Sequence, residues 1–190
     1  MTRVILFHHA HGLTSGVRAF ADLLRAERHT VDTPDLFDGR TFDALDEGVA
    51  HAEHIGFGTI IERGAAASEG LDGPVVYAGF SLGVLPAQML AQTRPNAVGA
   101  LLYHSCVPTS EFGSEWPERV PVQIHAMDAD PYFVDEGDLD AATALTRSTP
   151  TAALYLYPGD THLFTDESLP GYDARATASV VRRTLALLGS

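Results

Sequence analysis

The chain has 190 residues, 45 % of them hydrophobic and 19 % charged, the proportions of a soluble globule and a length suited to one domain, residues 1–190, burying about 70 % of its unfolded surface. Its 12 basic against 25 acidic residues give a net charge of −13, which argues against nucleic acid or an anionic membrane as partner. Every cation is an arginine, and without lysine there is no Schiff base, no pyridoxal phosphate attachment and no phosphate-loop lysine.

Arg3 to His8 is a short apolar run that reads as a buried strand, too short for a signal-peptide core or a membrane span. Val17, Phe20, Ala21 and Leu24 follow at i, i+3, i+4, i+7, with Ser15 available as N-cap. Thr30 to Leu36 reads as a second strand, closed by Pro34 and the Asp38-Gly39 turn. From Phe42 to Leu71 the pattern is helical, with Leu45, Val49 and Ala52 on one face and Gly56-Phe57-Gly58 breaking it into two helices. His51 and His54 are expected to face solvent.

Val75 to Phe80 is the third strand, and it runs straight into Gly79-Phe80-Ser81-Leu82-Gly83. Leu82, Leu85 and Met89 continue at helical spacing, with Pro86 early in the helix, where a missing N–H does least harm. Ala97 to His104 is strand four, Val120 to Met127 strand five and Ala152 to Tyr157 strand six. A helix around Leu139 to Ser148 and a terminal helix marked by Val181, Leu185 and Leu188 complete the series. Such alternation predicts an α/β fold: a compact, mainly parallel sheet of about six strands, helices on both faces and no large lid. The single cysteine, Cys106, excludes an intrachain disulfide and suits a reducing compartment,. A soluble, cytoplasmic protein is expected.

In parallel sheets chemistry collects beyond the carboxyl ends of the strands. Those ends carry His8-His9-Ala10-His11, then Ser81, then Asp128-Ala129-Asp130, then Asp160-Thr161-His162. A serine hydroxyl needs a base within hydrogen-bond reach, a histidine titrating near neutrality supplies one, and a carboxylate on its far nitrogen fixes the tautomer. The order Ser81, Asp130, His162 is that of an α/β-hydrolase, nucleophile then acid then base. Asp128, two residues before Asp130, remains an alternative acid, and Asp160 reads as a turn residue.

His8, His9 and His11 lack the spacing of a usual zinc site, so neither metal nor cofactor is expected. The loop suits an oxyanion hole made by the backbone N–H groups of Leu82 and of a residue near Ala10. Cys106 reads as a buried thiol. Trp116, Tyr132, Phe133 and Phe164 are candidates for an apolar pocket wall, with His9 and His11 facing substrate beside them.

With these residues in place, the chain resembles the dienelactone hydrolase family of the α/β-hydrolase superfamily over nearly its whole length. The likeness rests on the His9-to-Leu13 loop, Thr33-Pro34-Asp35-Leu36-Phe37, Gly79 to Gly83, Asp130-Pro131 and Tyr157-Pro158-Gly159 through His162-Leu163-Phe164. It implies a nearly lidless sheet whose Cys-Asp-His triad opens cyclic or activated esters, and it favours Asp130 over Asp128 and Leu82 with Ala10 as oxyanion donors. Three positions depart from it. Ser81 replaces the usual cysteine, His9 stands at the loop glutamate, and Asp166 stands at the arginine that holds a substrate carboxylate. The expectation is therefore a serine esterase or thioesterase acting on a small neutral ester. The alternative is a non-catalytic small-molecule-binding protein on the same fold.

Overall fold

The computed structural model describes residues 1–113 and 115–189. Its frame is a six-stranded sheet in the order β2-β1-β3-β4-β5-β6, formed by β1 (Arg3–Phe7), β2 (Thr30–Asp32), β3 (Val75–Phe80), β4 (Ala97–Tyr103), β5 (Val122–Met127) and β6 (Ala152–Tyr157). Every pairing is parallel, so the expectation of a mainly parallel sheet resolves to a wholly parallel one. The helices are α1 (Ser15–Ala26), α2 (Leu45–Ile55), α3 (Phe57–Ala66), α4 (Val84–Thr93), α5 (Pro131–Val134), α6 (Asp138–Ser148) and α7 (Ala174–Leu188).

Side chains alternate across a strand, and the core divides accordingly. Val4 and Leu6 of β1 and Val76 and Ala78 of β3 pack against Val17, Phe20 and Leu24 of α1 and Val180 of α7. Ile5, Phe7, Val75 and Tyr77 face the other way, toward Ala52 of α2, Ile60 of α3, Ala87 and Leu90 of α4 and Leu145 of α6. Both faces are therefore covered, and the two middle strands, β3 and β4, are apolar throughout,. Among the described residues no helix is long and apolar enough to cross a membrane.

Several element boundaries differ from the sequence reading for local reasons. β2 stops at Asp32 because Pro34 offers no N–H to the ladder and the Leu36 N–H turns to His8 Nε2 at 2.9 Å. Thr14 caps α1 in place of Ser15, its Oγ1 accepting from Val17 N–H at 3.2 Å. The α4 stripe is also turned. Val84, Ala87, Leu90 and Ala91 are buried, while Leu82 and Leu85 border a cavity. On α7 the buried row is Ala176, Thr177, Val180, Thr184 and Leu188, with Val181 and Leu185 only partly covered against it. His51 packs edge-on to Phe37, ring centroids 5.0 Å apart, instead of facing open solvent.

Candidate active site

Strand β3 is fully buried to its last residue and turns within one residue into a short 3-10 turn, Ser81–Gly83, that feeds α4. Ser81 absorbs the change of direction with φ at +48°, a left-handed conformation that costs a non-glycine residue on the order of 1 kcal/mol. The flanking glycines are there because backbone passes where side chains would be. A Cβ at Gly79 would fall inside the Gly83 carbonyl, and one at Gly83 would lie 2.5 Å from the Phe7 carbonyl oxygen. This tight crossing lifts the Ser81 hydroxyl clear of the sheet.

Two later strand ends meet it there. The loop after β6 brings His162 Nε2 to 2.9 Å from Ser81 Oγ, and His162 Nδ1 lies 2.6 Å from Asp130 Oδ2 in the loop after β5. With the carboxylate accepting from Nδ1–H, Nε2 is left to accept the serine proton. Asp130 is fully buried and itself fixed, because its Oδ1 caps α5 by accepting from Tyr132 N–H at 3.1 Å. Asp128 is exposed and its carboxylate accepts from Gly159 N–H at 3.1 Å, tying the two loops together without reaching His162. Asp160 is exposed, with Thr161 Oγ1 3.5 Å from its carboxylate.

Ser81 and His162 open onto a cavity of about 310 Å³. Ala10 and Leu82 border it, as do Leu45, Val49 and Phe57 from α2 and α3, Leu85 from α4, and Tyr132, whose ring lies 4.8 Å from that of His162. Asp46, Glu136 and Asp138 add carboxylates, and among the described residues no arginine borders the space. Burial raises the Asp138 carboxyl above its ordinary value, against hydrogen bonds from Ser105 and the Cys106 N–H.

The other residues expected at the substrate lie elsewhere. His9 is buried against Asp166 at 2.7 Å. His11 is held by the Phe42 carbonyl, 2.8 Å from its Nδ1. Trp116 is in the core, donating to the Val120 carbonyl at 2.7 Å, and Phe164 is buried edge-on to His104, 4.8 Å between rings. Phe133 is fully buried in the core. Of the aromatic candidates only Tyr132 borders the cavity, because each of the others satisfies its packing or its N–H within its own neighbourhood.

Helices α2 and α3 supply the opposing wall, a use of the Leu45, Val49, Ala52 face that spacing alone does not distinguish from core packing. His104 also borders the cavity. It is the first residue after β4, carries φ of +65° and sits 5.8 Å ring to ring from His162. Its Nε2 lies 2.7 Å from Thr165 Oγ1, and its buried Nδ1 has no hydrogen-bond partner among the described residues. Burial, reinforced by neighbouring histidines, holds its pKa well below the usual range, so the imidazole is neutral. The Cys106 thiol is buried, which pushes it up to about 12, far from a reactive thiolate.

Comparison with known proteins places this geometry in context. The model of the dienelactone hydrolase family matches residues 2–190. Among solved structures, a dienelactone hydrolase-like promiscuous phosphotriesterase, P91, from metagenomic libraries superposes with a TM-score of 0.77 at 21 % identity, covering 98 % of this chain and 85 % of its own. Est1E of Butyrivibrio proteoclasticus, solved with ferulic acid bound, gives 0.67 at 16 % identity, covering 100 % and 90 %. A cold-adapted esterase from an Arctic intertidal metagenomic library gives 0.67 at 19 %, covering 98 % and 82 %. No curated protein sequence matches the chain.

Proposed function

Because the chain belongs to the dienelactone hydrolase family and is a hydrolase of the α/β superfamily, we propose that it cleaves small neutral carboxylic esters through an acyl-enzyme formed on Ser81. The observation that carries this reading is the continuous hydrogen-bonded line from Ser81 Oγ through His162 to Asp130, ending at a cavity bordered by apolar side chains and carboxylates.

The steps follow from the atoms. Ser81 Oγ attacks the ester carbonyl as its proton passes to His162 Nε2, and the new imidazolium is held by the Asp130 carboxylate. Negative charge gathers on the carbonyl oxygen, where the backbone N–H groups of Ala10 and Leu82 receive it. The C–O bond to the alcohol breaks, and the alcohol takes the proton from His162. Water then attacks the acyl group, giving its proton to His162, and the collapse of that second intermediate returns the proton to Ser81 and releases the acid.

The substrate reading follows from charge. A carboxylate on the substrate would find no arginine in the cavity and would meet Asp46, Glu136 and Asp138. A thioester of similar size is chemically equivalent for the same attack.

A fluorophosphonate probe should label the wild type at Ser81 and leave Ser81→Ala unlabelled. Short neutral p-nitrophenyl esters should be hydrolysed by the wild type only, and a carboxylate-bearing analogue poorly by either. Folded Ser81→Ala with unchanged turnover would remove the reading altogether.

A further inference from the structure

Sheet order poses a geometric problem for the base. His162 follows β6, an edge strand, whereas Ser81 follows β3, with β4 and β5 between them. At about 4.8 Å per strand, the chain leaving β6 must travel roughly 14 Å back across the top of the sheet. It does so between Tyr157 and Asp166, bringing His162 to Ser81 on the way, and is anchored beyond its target, where Asp166 meets His9 in the loop after β1, on the far side of β3.

That anchor is specific. His9 and Asp166 are 1 % and 3 % exposed, and their atoms lie 2.7 Å apart. The His11 N–H points at His9 Nδ1, 3.3 Å away, so Nδ1 carries the lone pair and Nε2–H donates to Asp166. Asp166 also accepts from Thr14 Oγ1 at 2.5 Å and from the N–H and hydroxyl of Ser168 at 2.8 and 2.6 Å. A side chain at Gly16 would run into its carboxylate. Burial lowers the His9 pKa. For Asp166 burial pushes upward, but the hydrogen bonds from His9, Ser168 and Thr14 together hold the carboxyl well below the usual range. A neutral imidazole thus faces an ionised carboxylate.

Each loop has anchors of its own. His8 and His11 bind the loop after β1 to the Leu36 N–H and the Phe42 carbonyl, and Thr165 binds the loop after β6 to His104. The His9–Asp166 pair, with Thr14 donating to the same carboxylate, links one loop to the other, and the Gly16 N–H adds a longer contact to Ser168 Oγ at 3.4 Å. His9 precedes Ala10, and Asp166 lies four residues beyond His162, while neither borders the cavity.

Resting on the serine-hydrolase reading, we propose that His9 and Asp166 are positioning residues that hold the Ala10 backbone N–H and the His162 imidazole in register across the sheet. Proton transfer and oxyanion binding then act on the same carbonyl. A misplacement of about 1 Å is enough to cost on the order of a hundredfold in rate.

The test uses the full chain with a short p-nitrophenyl ester. His9→Phe should lower kcat by about 10- to 100-fold with KM within about threefold, and Asp166→Asn should do likewise, because one amide N–H must then face a donor. His9→Gln, whose amide can donate to Asp166, should return kcat to within about fivefold of wild type. Circular dichroism and urea unfolding monitor the fold, and if His9→Phe does not fold, His9→Gln against Asp166→Asn decides. Wild-type kcat in folded Asp166→Asn, a loss confined to KM, or a His9→Gln as impaired as a folded His9→Phe would overturn the proposal. Ser81→Ala separates the two failures. Activity surviving there removes the underlying mechanism, whereas an inactive Ser81→Ala beside an unimpaired Asp166→Asn removes only the positioning role.

Discussion

His8 offers the most direct test of how burial of the histidines shapes stability. It is fully buried, its Nδ1 lies 2.7 Å from the His9 carbonyl oxygen, and its Nε2 accepts from the Leu36 N–H. Protonating Nε2 would set two N–H groups against each other, and burial lowers the pKa to about 4. Unfolded, the ring titrates near 6.5. Between those values the unfolded chain binds a proton that the folded chain refuses. Stability is therefore complete above pH 6.5, falls as the pH is lowered, and stops falling from this source below about 4. Each pH unit costs about 1.4 kcal/mol, or about 2 kcal/mol between pH 6.5 and 5 and roughly 3 in all. His125, lowered to about 3 by burial and Arg183, acts in the same sense, so the wild type should lose stability on acidification. The buried Asp138 carboxyl shifts the opposite way, so the informative quantity is a difference between variants. His8→Gln keeps an acceptor for Leu36 and cannot titrate. It should be less stable than wild type at pH 7.5, with the gap narrowing by about 2 kcal/mol at pH 5 in urea unfolding. A gap that is the same at both pH values refutes the reasoning.

Asp130→Asn should lower kcat on p-nitrophenyl esters by about a thousandfold or more, since an amide misorients the imidazole. Asp128→Asn, whose carboxylate only receives the Gly159 N–H, should stay within about twofold. Gly79→Ala should destabilise the fold by more than about 2 kcal/mol in thermal or urea unfolding, because its Cβ has no room against the Gly83 carbonyl. Wild-type stability there would mean that the serine turn is looser than drawn.

The fold was legible because its signals are local. Apolar runs ending in turn residues placed all six strands, and β6 ends at the residues the pattern indicated. The serine turn was legible for the same reason, since glycines at both flanks announce a crossing without room for side chains. What the sequence left open depends on distance in space. Asp128 and Asp130 are two residues apart, and only the direction of the loop after β5 separates them. Trp116 looked like a pocket residue, yet its N–H finds a carbonyl four residues along the chain and the ring follows it into the core. Leu82 and Leu85 looked like the core stripe of α4. Small residues, Ala87 and Ala91, let the helix sit close to the sheet on another side, leaving the leucines to the cavity. His9 and Asp166 are 157 positions apart, and no periodicity links them.

That last pair also bears on the neutral-ester substrate proposed for this chain. The resembling pattern places a glutamate and an arginine where His9 and Asp166 stand. Here the acid is on the loop after β6 and its partner on the loop after β1, so the two positions form a polar contact between the loops. A guanidinium is charged at any working pH and attracts a substrate carboxylate. A buried neutral imidazole bound to a carboxylate does not. These two positions therefore supply no fixed cation and instead form a directional hydrogen bond across the sheet. Serine at position 81 fits the same economy of charge. A thiolate draws on nearby positive charge to stay ionised, whereas a hydroxyl starts neutral and needs only a base and a site for the charge that develops later. With His9 and His104 held neutral by burial, the charge that forms on the proposed base during the reaction would face the Asp130 carboxylate without a second buried cation beside it.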